Sequence, residues 1–142
     1  MLKQITRIGS YGVLIDNHMV ALTTKIKGPY QGLLDLPGGG IEFGENPLET
    51  LERELLEELA MQCSSFHFHD NLSHQGYYSE HGERYHFHHL GMVYIVGEFK
   101  SVTNLKAQDP FHWYELKKIS LIDLTPFARQ VISNLIETNE NI

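Results

Sequence analysis

Residues 39–61 read GGIEFGENPLETLERELLEELAM, and this stretch determines how the rest of the chain is interpreted. A run of glycines is followed by a strong helix start. Asn46 can cap the helix, Pro47 suits its first position, and Glu49 occupies the capping-box position. The pattern predicts a flexible turn and then a helix that ends near Leu59.

The predicted helix carries an apolar face and a separate acidic face. Leucines recur at spacings of three and four, which is typical of a packed helix face. These are Leu48, Leu51, Leu55 and Leu59. Glu54, Glu57 and Glu58 share another surface, where three carboxylates repel one another. Arg53 and a divalent cation are the natural compensating charges.

Clustered carboxylates favour a hard cation such as Mg²⁺ or Mn²⁺, which completes its coordination with water and substrate phosphates. Such a cation polarises a phosphoryl oxygen and lowers the pKa of a bound water, and a neighbouring glutamate can take the proton. The alternative is a solvated acidic helix face without chemistry. The fixed offsets to Arg53, Glu45 and the glycine turn argue against that alternative.

The spacing from Gly39 through Glu45 to Arg53 and Glu54 resembles the signature of the Nudix hydrolase family. All 23 positions of the signature align without a gap, and one defined position departs from it. Ala60 stands where the family has a glycine, and a left-handed alanine there costs about 1 kcal/mol. The resemblance implies one Nudix domain over residues 1–142, with its box at 39–61. It implies an α/β fold, an α/β/α sandwich whose mixed twisted sheet is flanked by helices.

The resemblance also implies roles for the residues of the box. The implied catalytic residues are Glu45, Arg53, Glu54 and Glu57, and the implied metal ligands are Glu54, Glu57, Glu58 and a main-chain carbonyl at Gly38 or Gly39. Glu45 and Arg53 would hold the loop and the helix in register by charge pairing. The general base varies within the family, so acids outside the box are also candidates, namely Glu98 and Asp109.

Aromatic side chains in the predicted loops could stack on a nucleobase. We expect substrate contacts first from Tyr30, Phe111 and Trp113. The histidine-rich segments 67–69 and 86–89 have a simpler explanation, since alternation on a strand places phenylalanines inward and histidines outward. Structural zinc is the less favoured alternative, because no cysteine pair accompanies them.

Other segments predict strands and a second helix. Residues 11–15 and 19–25 read as a β-hairpin, residues 33–36 as a short strand, and residues 64–69 and 84–99 as strands joined by a polar connection. Thr125 and Pro126 open a terminal helix with an apolar stripe. The stripe consists of Phe127, Val131, Ile132, Leu135 and Ile136.

Composition limits the classes of function. The chain has 142 residues and a formal net charge of −7, with no basic block for a nucleic-acid polymer. Cys63 is the single cysteine, and no segment reads as a signal or a membrane span. We therefore expect one compact domain in the cytoplasm without nucleic-acid polymer or membrane partners.

The expected function is metal-dependent hydrolysis of a phosphoanhydride bond by an activated water. The expected substrate is a small phosphorylated molecule, a nucleoside diphosphate linked to another moiety, such as a nucleoside triphosphate or a nucleotide sugar. The resemblance also implies a homodimer. The main alternative is a domain of the same fold that senses a nucleotide ligand without turnover. An isomerase on the same scaffold is a more remote alternative.

Overall fold

The computed structural model describes residues 1–108 and 110–138, so the predicted acid Asp109 lies outside the described residues. Within them the chain forms eight strands and two α-helices. The strands are β1 (Leu2–Val13), β2 (Ile15–Asp16), β3 (Met19–Thr24), β4 (Leu34–Asp35), β5 (Gly38–Gly40), β6 (Met61–Glu80), β7 (Glu83–Ser101) and β8 (Phe111–Glu115). The helices are α1 (Pro47–Leu59) and α2 (Pro126–Thr138), and two 3₁₀ turns span Leu116–Lys118 and Leu121–Asp123.

The strands form two sheets. The first has the order β5-β1-β7-β6, in which β1 and β7 are parallel and the other pairs are antiparallel. In the second sheet β3 pairs with β2, β4 and β8, always antiparallel. The predicted mixed sheet is therefore confirmed.

Helices cover opposite sides of the strands. Neighbouring residues of a strand point to opposite faces of the sheet, so adjacent residues pack against different helices. Val13 packs in a core with α2, whereas Leu14 packs in a second core with α1. On β3, Val20 joins the core of α2 and Ala21 joins the core of α1. This layering is the predicted α/β/α sandwich.

The predicted hairpin is formed by β2 and β3. Its turn residues Asn17 and His18 have φ of 52° and 66°, which is the pattern of a type I′ turn. β1 begins much earlier than the predicted residue 11, at Leu2. The early part of β1 is largely exposed and is held by pairing with β7, more than 80 residues away, so local hydrophobicity does not reveal it.

The predicted polar connection between residues 69 and 84 was wrong. β6 and β7 form one long hairpin, in which only His81 and Gly82 lie in the turn. Cross-strand aromatic contacts support the pairing, including Tyr78 stacked on Tyr85 with ring centroids 5.0 Å apart. Polar residues there alternate between a covered face and an exposed face, which made the segment resemble a loop.

Helix α1 has the predicted start. Asn46 Oδ1 accepts a hydrogen bond from the Glu49 N–H at 3.0 Å, and Glu49 Oε1 accepts one from the Asn46 N–H at 3.0 Å. The predicted leucines are fully or almost fully buried except for Leu48, which is 40% exposed. Ala60 ends the helix in the left-handed conformation, with φ 54° and ψ 41°.

Helix α2 begins after Thr125, whose Oγ1 accepts a hydrogen bond from the Ala128 N–H at 3.3 Å. The predicted stripe is confirmed, since Phe127, Val131 and Ile132 are almost completely buried. In the part of the chain that the structure describes, neither helix is long and apolar enough to cross a bilayer.

Candidate active site

Arg53 is the centre of the site. Its Nε donates to Glu45 Oε2 at 2.7 Å and its Nη2 donates to Glu45 Oε1 at 3.0 Å. Its Nη1 donates to Glu54 at 2.9 Å and to Glu57 at 3.4 Å, and Nη2 also reaches the Gly40 carbonyl at 3.3 Å. One guanidinium therefore connects the turn before α1 with the acidic face of α1.

The Glu45 carboxylate accepts hydrogen bonds from two groups besides Arg53. Thr50 Oγ1 donates to its Oε1 at 2.8 Å, and the Glu42 N–H donates to the same oxygen at 3.0 Å. These bonds, led by that from Arg53, lower the pKa of Glu45 to about 2. Glu45 is therefore ionised at neutral pH, and its charge keeps Arg53 in place.

The glycine turn brings its backbone against the acidic face of α1. The Gly38 N–H donates to Glu58 Oε1 at 2.8 Å. A Cβ at Gly39 would lie 2.6 Å from the Glu54 carboxyl carbon, so a side chain there would displace that carboxyl group. Gly38 has φ 139°, and its Cβ would overlap the Ser10 carbonyl oxygen. The approach at Gly38 requires glycine, because backbone atoms block a side chain there, whereas at Gly39 a side chain fits only if the Glu54 carboxyl group moves.

The three glutamates differ in environment. Glu58 is 9% exposed, and the Glu54 and Glu57 side chains are 17% and 41% exposed. Burial raises the pKa of Glu54 above its usual range, although the neighbouring Arg53 opposes this rise. The neighbouring Glu57 carboxylate adds to the rise, and a bound cation would oppose it.

These residues match the chemistry of a divalent cation site. Carboxylate and main-chain carbonyl oxygens are the hard ligands that Mg²⁺ and Mn²⁺ take. Among residues 1–108 and 110–138, no three acidic, histidine or cysteine side chains already stand as a metal cage. Glu54 and Glu57 instead turn toward Arg53, so a cation would draw them away from the guanidinium.

A cavity of about 610 Å³ opens beside the glycine turn. Its volume lies in the range of pockets that hold small ligands. The lining comprises Thr6, Arg7, Ile8, Tyr11, Lys25, Lys27, Gly28, Pro29, Tyr30, Asp35, Gly39, Gly40, Ile41, Glu80, Phe87 and His89. Because Gly39 belongs both to this wall and to the surroundings of Glu54, the acidic cluster adjoins the cavity.

Positive charge also lines the cavity. Arg7 comes from β1, and Lys25 and Lys27 come from the segment after β3. The same wall also holds Asp35 and Glu80, so the lining carries three cationic and two acidic side chains, and its excess of positive charge favours an anionic ligand. The cavity thus has cations on its wall and a carboxylate cluster next to Gly39.

Histidine and tyrosine side chains form the inner wall. The Tyr11 hydroxyl lies 2.7 Å from His89 Nε2, and the Tyr30 hydroxyl lies 3.2 Å from His89 Nδ1. Burial, followed by the positive charges of Lys25 and Arg7, lowers the pKa of His89 to about 4. The imidazole is therefore neutral near pH 7.

The predicted site residues outside the box have different locations. Tyr30 lines the cavity. Phe111 and Trp113 do not line it, since both lie on β8 and pack against the core of α1. Glu98 is exposed on β7 and accepts a hydrogen bond from Ser64 Oγ at 3.4 Å, away from the cavity lining. The predicted substrate contacts and the predicted acid role stay predictions.

Several cavity residues were not predicted. Asp35 interrupts the apolar run 33–36, and an acid within a buried strand is a signal that could have been followed. His89 adjoins His88, and only one of two neighbours can face outward, so the predicted outward histidines hold for His88 but not for His89. The inward phenylalanine rule holds for Phe87 and fails for Phe68, which is 57% exposed.

Comparisons with known proteins agree with the family that the box at residues 39–61 indicates. A family model described as NUDIX domain matches residues 6–135. An RNA pyrophosphohydrolase of Helicobacter pylori strain G27 is 30% identical over 117 residues, covering 75% of this chain and 73% of the relative. The corresponding protein of strain ATCC 700392 / 26695 is 31% identical over 118 residues, with the same coverage.

Solved structures share the fold at lower identity. A MutT NUDIX hydrolase from Burkholderia pseudomallei superposes with a TM-score of 0.74 at 20% identity, covering 91% of this chain and 97% of the other. A mutator MutT protein from Bacillus halodurans gives 0.69 at 17% identity, covering 94% and 84%.

The chain belongs to the Nudix hydrolase family. The predicted family, fold class and enzyme class, a Nudix pyrophosphohydrolase, are thereby confirmed.

Proposed function

We propose that this protein uses a divalent cation and a water molecule to hydrolyse a phosphoanhydride bond in a nucleoside diphosphate linked to another moiety. Nucleoside triphosphates are the simplest such substrates. The observation that carries the proposal is the junction at Gly39, where the carboxylates of α1 adjoin a nucleotide-sized cavity with three cationic residues on its wall.

Glu54, Glu57 and Glu58 would hold Mg²⁺ or Mn²⁺, together with a carbonyl of Gly38 or Gly39. When bound, the cation neutralises phosphate charge and makes the phosphorus easier to attack. Arg53 and Glu45 keep the helix and the turn in register, so the carboxylates stay aligned with the cavity. Glu54 and Glu57 are the residues that we propose for accepting the proton of the attacking water.

The cavity would hold the rest of the substrate. Lys25, Lys27 and Arg7 would attract the phosphate groups, which the carboxylates alone would repel. Tyr30 and Phe87 offer aromatic surfaces for a base. The Phe111 and Trp113 contacts form a less favoured part of the proposal, because those side chains lie in the core of α1.

RNA with a 5′ polyphosphate end is a second candidate substrate. It is favoured by the similarity to Helicobacter pylori proteins named RNA pyrophosphohydrolase. Its 5′ end presents the same kind of phosphoanhydride as a free nucleotide. The net charge of −7 favours contact with the terminal nucleotide alone over a long RNA track.

A turnover screen with Mg²⁺ and then Mn²⁺ tests the proposal. The substrates are nucleoside triphosphates, nucleotide sugars, dinucleoside polyphosphates and a short RNA with a 5′ triphosphate, with products identified by mass spectrometry. We expect metal-dependent release of a phosphorylated product from at least one nucleotide-derived substrate. Ligand and metal binding without turnover of any substrate would instead support the sensing alternative.

A further inference from the structure

Asp35 places a buried carboxyl group in the wall of the cavity. It lies on β4 and is 4% exposed. Its Oδ1 accepts hydrogen bonds from the Leu36 N–H at 2.9 Å and from Thr125 Oγ1 at 2.6 Å. Within residues 1–108 and 110–138, no group donates a hydrogen bond to Oδ2. Oδ2 is therefore the oxygen that remains for a ligand in the cavity.

A structural role alone does not explain a carboxyl group at this position. Thr125 caps α2 through Ala128, and its bond to Asp35 connects β4 to the start of that helix. One neutral acceptor oxygen, such as that of asparagine, would make the same connection. An ionised carboxyl group is costly to bury unless its remaining lone pairs are used. Burial raises the pKa of Asp35, whereas the hydrogen bonds from Thr125 and Leu36 and the charge of Lys25 oppose that rise and favour the ionised form.

The Tyr30 hydroxyl is a hydrogen-bond donor in the same cavity, and its contact with His89 shows where its hydrogen points. Neutral His89 has one N–H and one bare nitrogen, so one tyrosine donates to it and the other accepts. The 2.7 Å contact with Tyr11 suits an O–H donor, and the 3.2 Å contact with Tyr30 suits an N–H donor. In this arrangement the Tyr30 hydroxyl hydrogen is left for the cavity.

Asp35 and Tyr30 influence each other electrostatically. Burial, followed by the charge of Asp35, raises the pKa of Tyr30, which keeps its hydroxyl protonated. The cavity thus presents a carboxylate acceptor and a hydroxyl donor. A purine edge with an exocyclic amine beside an unprotonated ring nitrogen, as at the 6-amine and N1 of adenine or the 2-amine and N3 of guanine, complements such a pair.

We propose that Asp35 determines base specificity by accepting a hydrogen bond from the exocyclic amine of a purine nucleotide, while Tyr30 donates to the neighbouring acceptor of the base. The inference rests on the proposed function, since it describes the substrate of the same site. Asp35 touches the base and not the phosphates, so it governs which nucleotide is used.

The first test changes the substrate and leaves the protein intact. ATP is compared with purine riboside 5′-triphosphate, which lacks the 6-amine, and GTP is compared with ITP, which lacks the 2-amine. We expect removal of the amine to lower kcat/KM at least about 10-fold in one of the two pairs. Equal kcat/KM values within both pairs would overturn the proposal and leave the proposed hydrolase function standing.

The second test is Asp35→Asn. Leu36 N–H and Thr125 Oγ1–H both need an acceptor, so the asparagine oxygen must take the Oδ1 position. Its NH₂ group then faces the cavity and opposes an amine. We expect the discrimination within the sensitive pair to disappear or reverse, with turnover of the substrate without the amine retained. Unchanged discrimination would overturn the proposal.

Thr125→Val is the matched control for the structural role of Asp35. It removes the bond to α2 but leaves a carboxylate oxygen facing the cavity. We expect lower thermal stability and unchanged base discrimination. If Thr125→Val abolished the discrimination as Asp35→Asn does, the discrimination would depend on the integrity of the fold and not on a contact between Asp35 and the base. That result would overturn the proposal.

Calorimetric binding of the same four nucleotides separates this inference from the proposed hydrolysis. Amine-dependent binding that Asp35→Asn abolishes supports the inference even if no nucleotide is turned over. Absence of both binding and turnover for all four nucleotides would overturn the inference.

Discussion

Glu45 and Arg53 form a bidentate ion pair, with Nε–Oε2 and Nη2–Oε1 distances of 2.7 Å and 3.0 Å. The pair connects the loop before α1 to the helix itself. The geometry requires the planar fork of arginine, because a lysine ammonium presents a single point of attachment.

Arg53→Lys should therefore lower activity while the charge stays the same. We expect kcat to fall roughly 100-fold, because small misplacements of catalytic groups have effects of that size. Steady-state kinetics on the best substrate of the screen would measure it. Arg84→Lys, at an exposed position, is the control. Full activity of Arg53→Lys would show that the fork is dispensable.

Two glycine substitutions should separate folding from catalysis. Gly38→Ala places a methyl group against the Ser10 backbone at φ 139°, so we expect a loss of about 2 kcal/mol or more in the free energy of unfolding. Gly39→Ala meets only the movable end of Glu54, so it should lower turnover with little loss of stability. Urea unfolding and kinetics on both variants provide the comparison. A Gly39→Ala protein with normal turnover would contradict the proposed role of Glu54.

Ala60→Gly should stabilise the protein. Ala60 has φ 54°, a conformation that costs alanine about 1 kcal/mol more than glycine. Since Ala60 is 7% exposed and its methyl contributes some packing, we expect a net gain of roughly 0.5 kcal/mol in the free energy of unfolding. Ala128→Gly, inside α2, should destabilise instead. A loss in Ala60→Gly would mean that the buried methyl outweighs the backbone strain.

His89 should make stability depend on pH. Its folded-state pKa of about 4 lies below the ordinary value of 6.5, so the unfolded chain binds the proton first as the pH falls. Stability should therefore fall between pH 6.5 and pH 4, by up to about 3 kcal/mol at 1.36 kcal/mol per unit. His89→Gln, which does not titrate, should lack this component when denaturant unfolding is compared at pH 7 and pH 4. Parallel curves for both proteins would contradict it.

The sequence predicted the local features of the site best. Asn46 and Pro47 define the start of α1, and the leucine spacing defines its buried face, because both depend on residues within one helix turn. The charge pairing expected between Glu45 and Arg53 is likewise a direct contact in the structure. Motifs whose partners are close in the chain are readable without coordinates.

Features that depend on distant pairing were less predictable. The first residues of β1 and the middle of β6 are strands because β7 pairs with them, and their own residues are largely exposed. The cavity joins Tyr30 and Asp35 to His89, more than 50 residues later in the chain. Such neighbours follow from topology, which local patterns do not contain.

The proposed hydrolysis depends most directly on the carboxylates of α1. The decisive measurement is Mg²⁺-dependent turnover by Glu57→Gln and Glu58→Gln, beside Glu52→Gln at an exposed position of the same helix. We expect losses on the order of 100-fold or more for the first two variants and wild-type turnover for the third. Full Mg²⁺-dependent turnover by both Glu57→Gln and Glu58→Gln would contradict it.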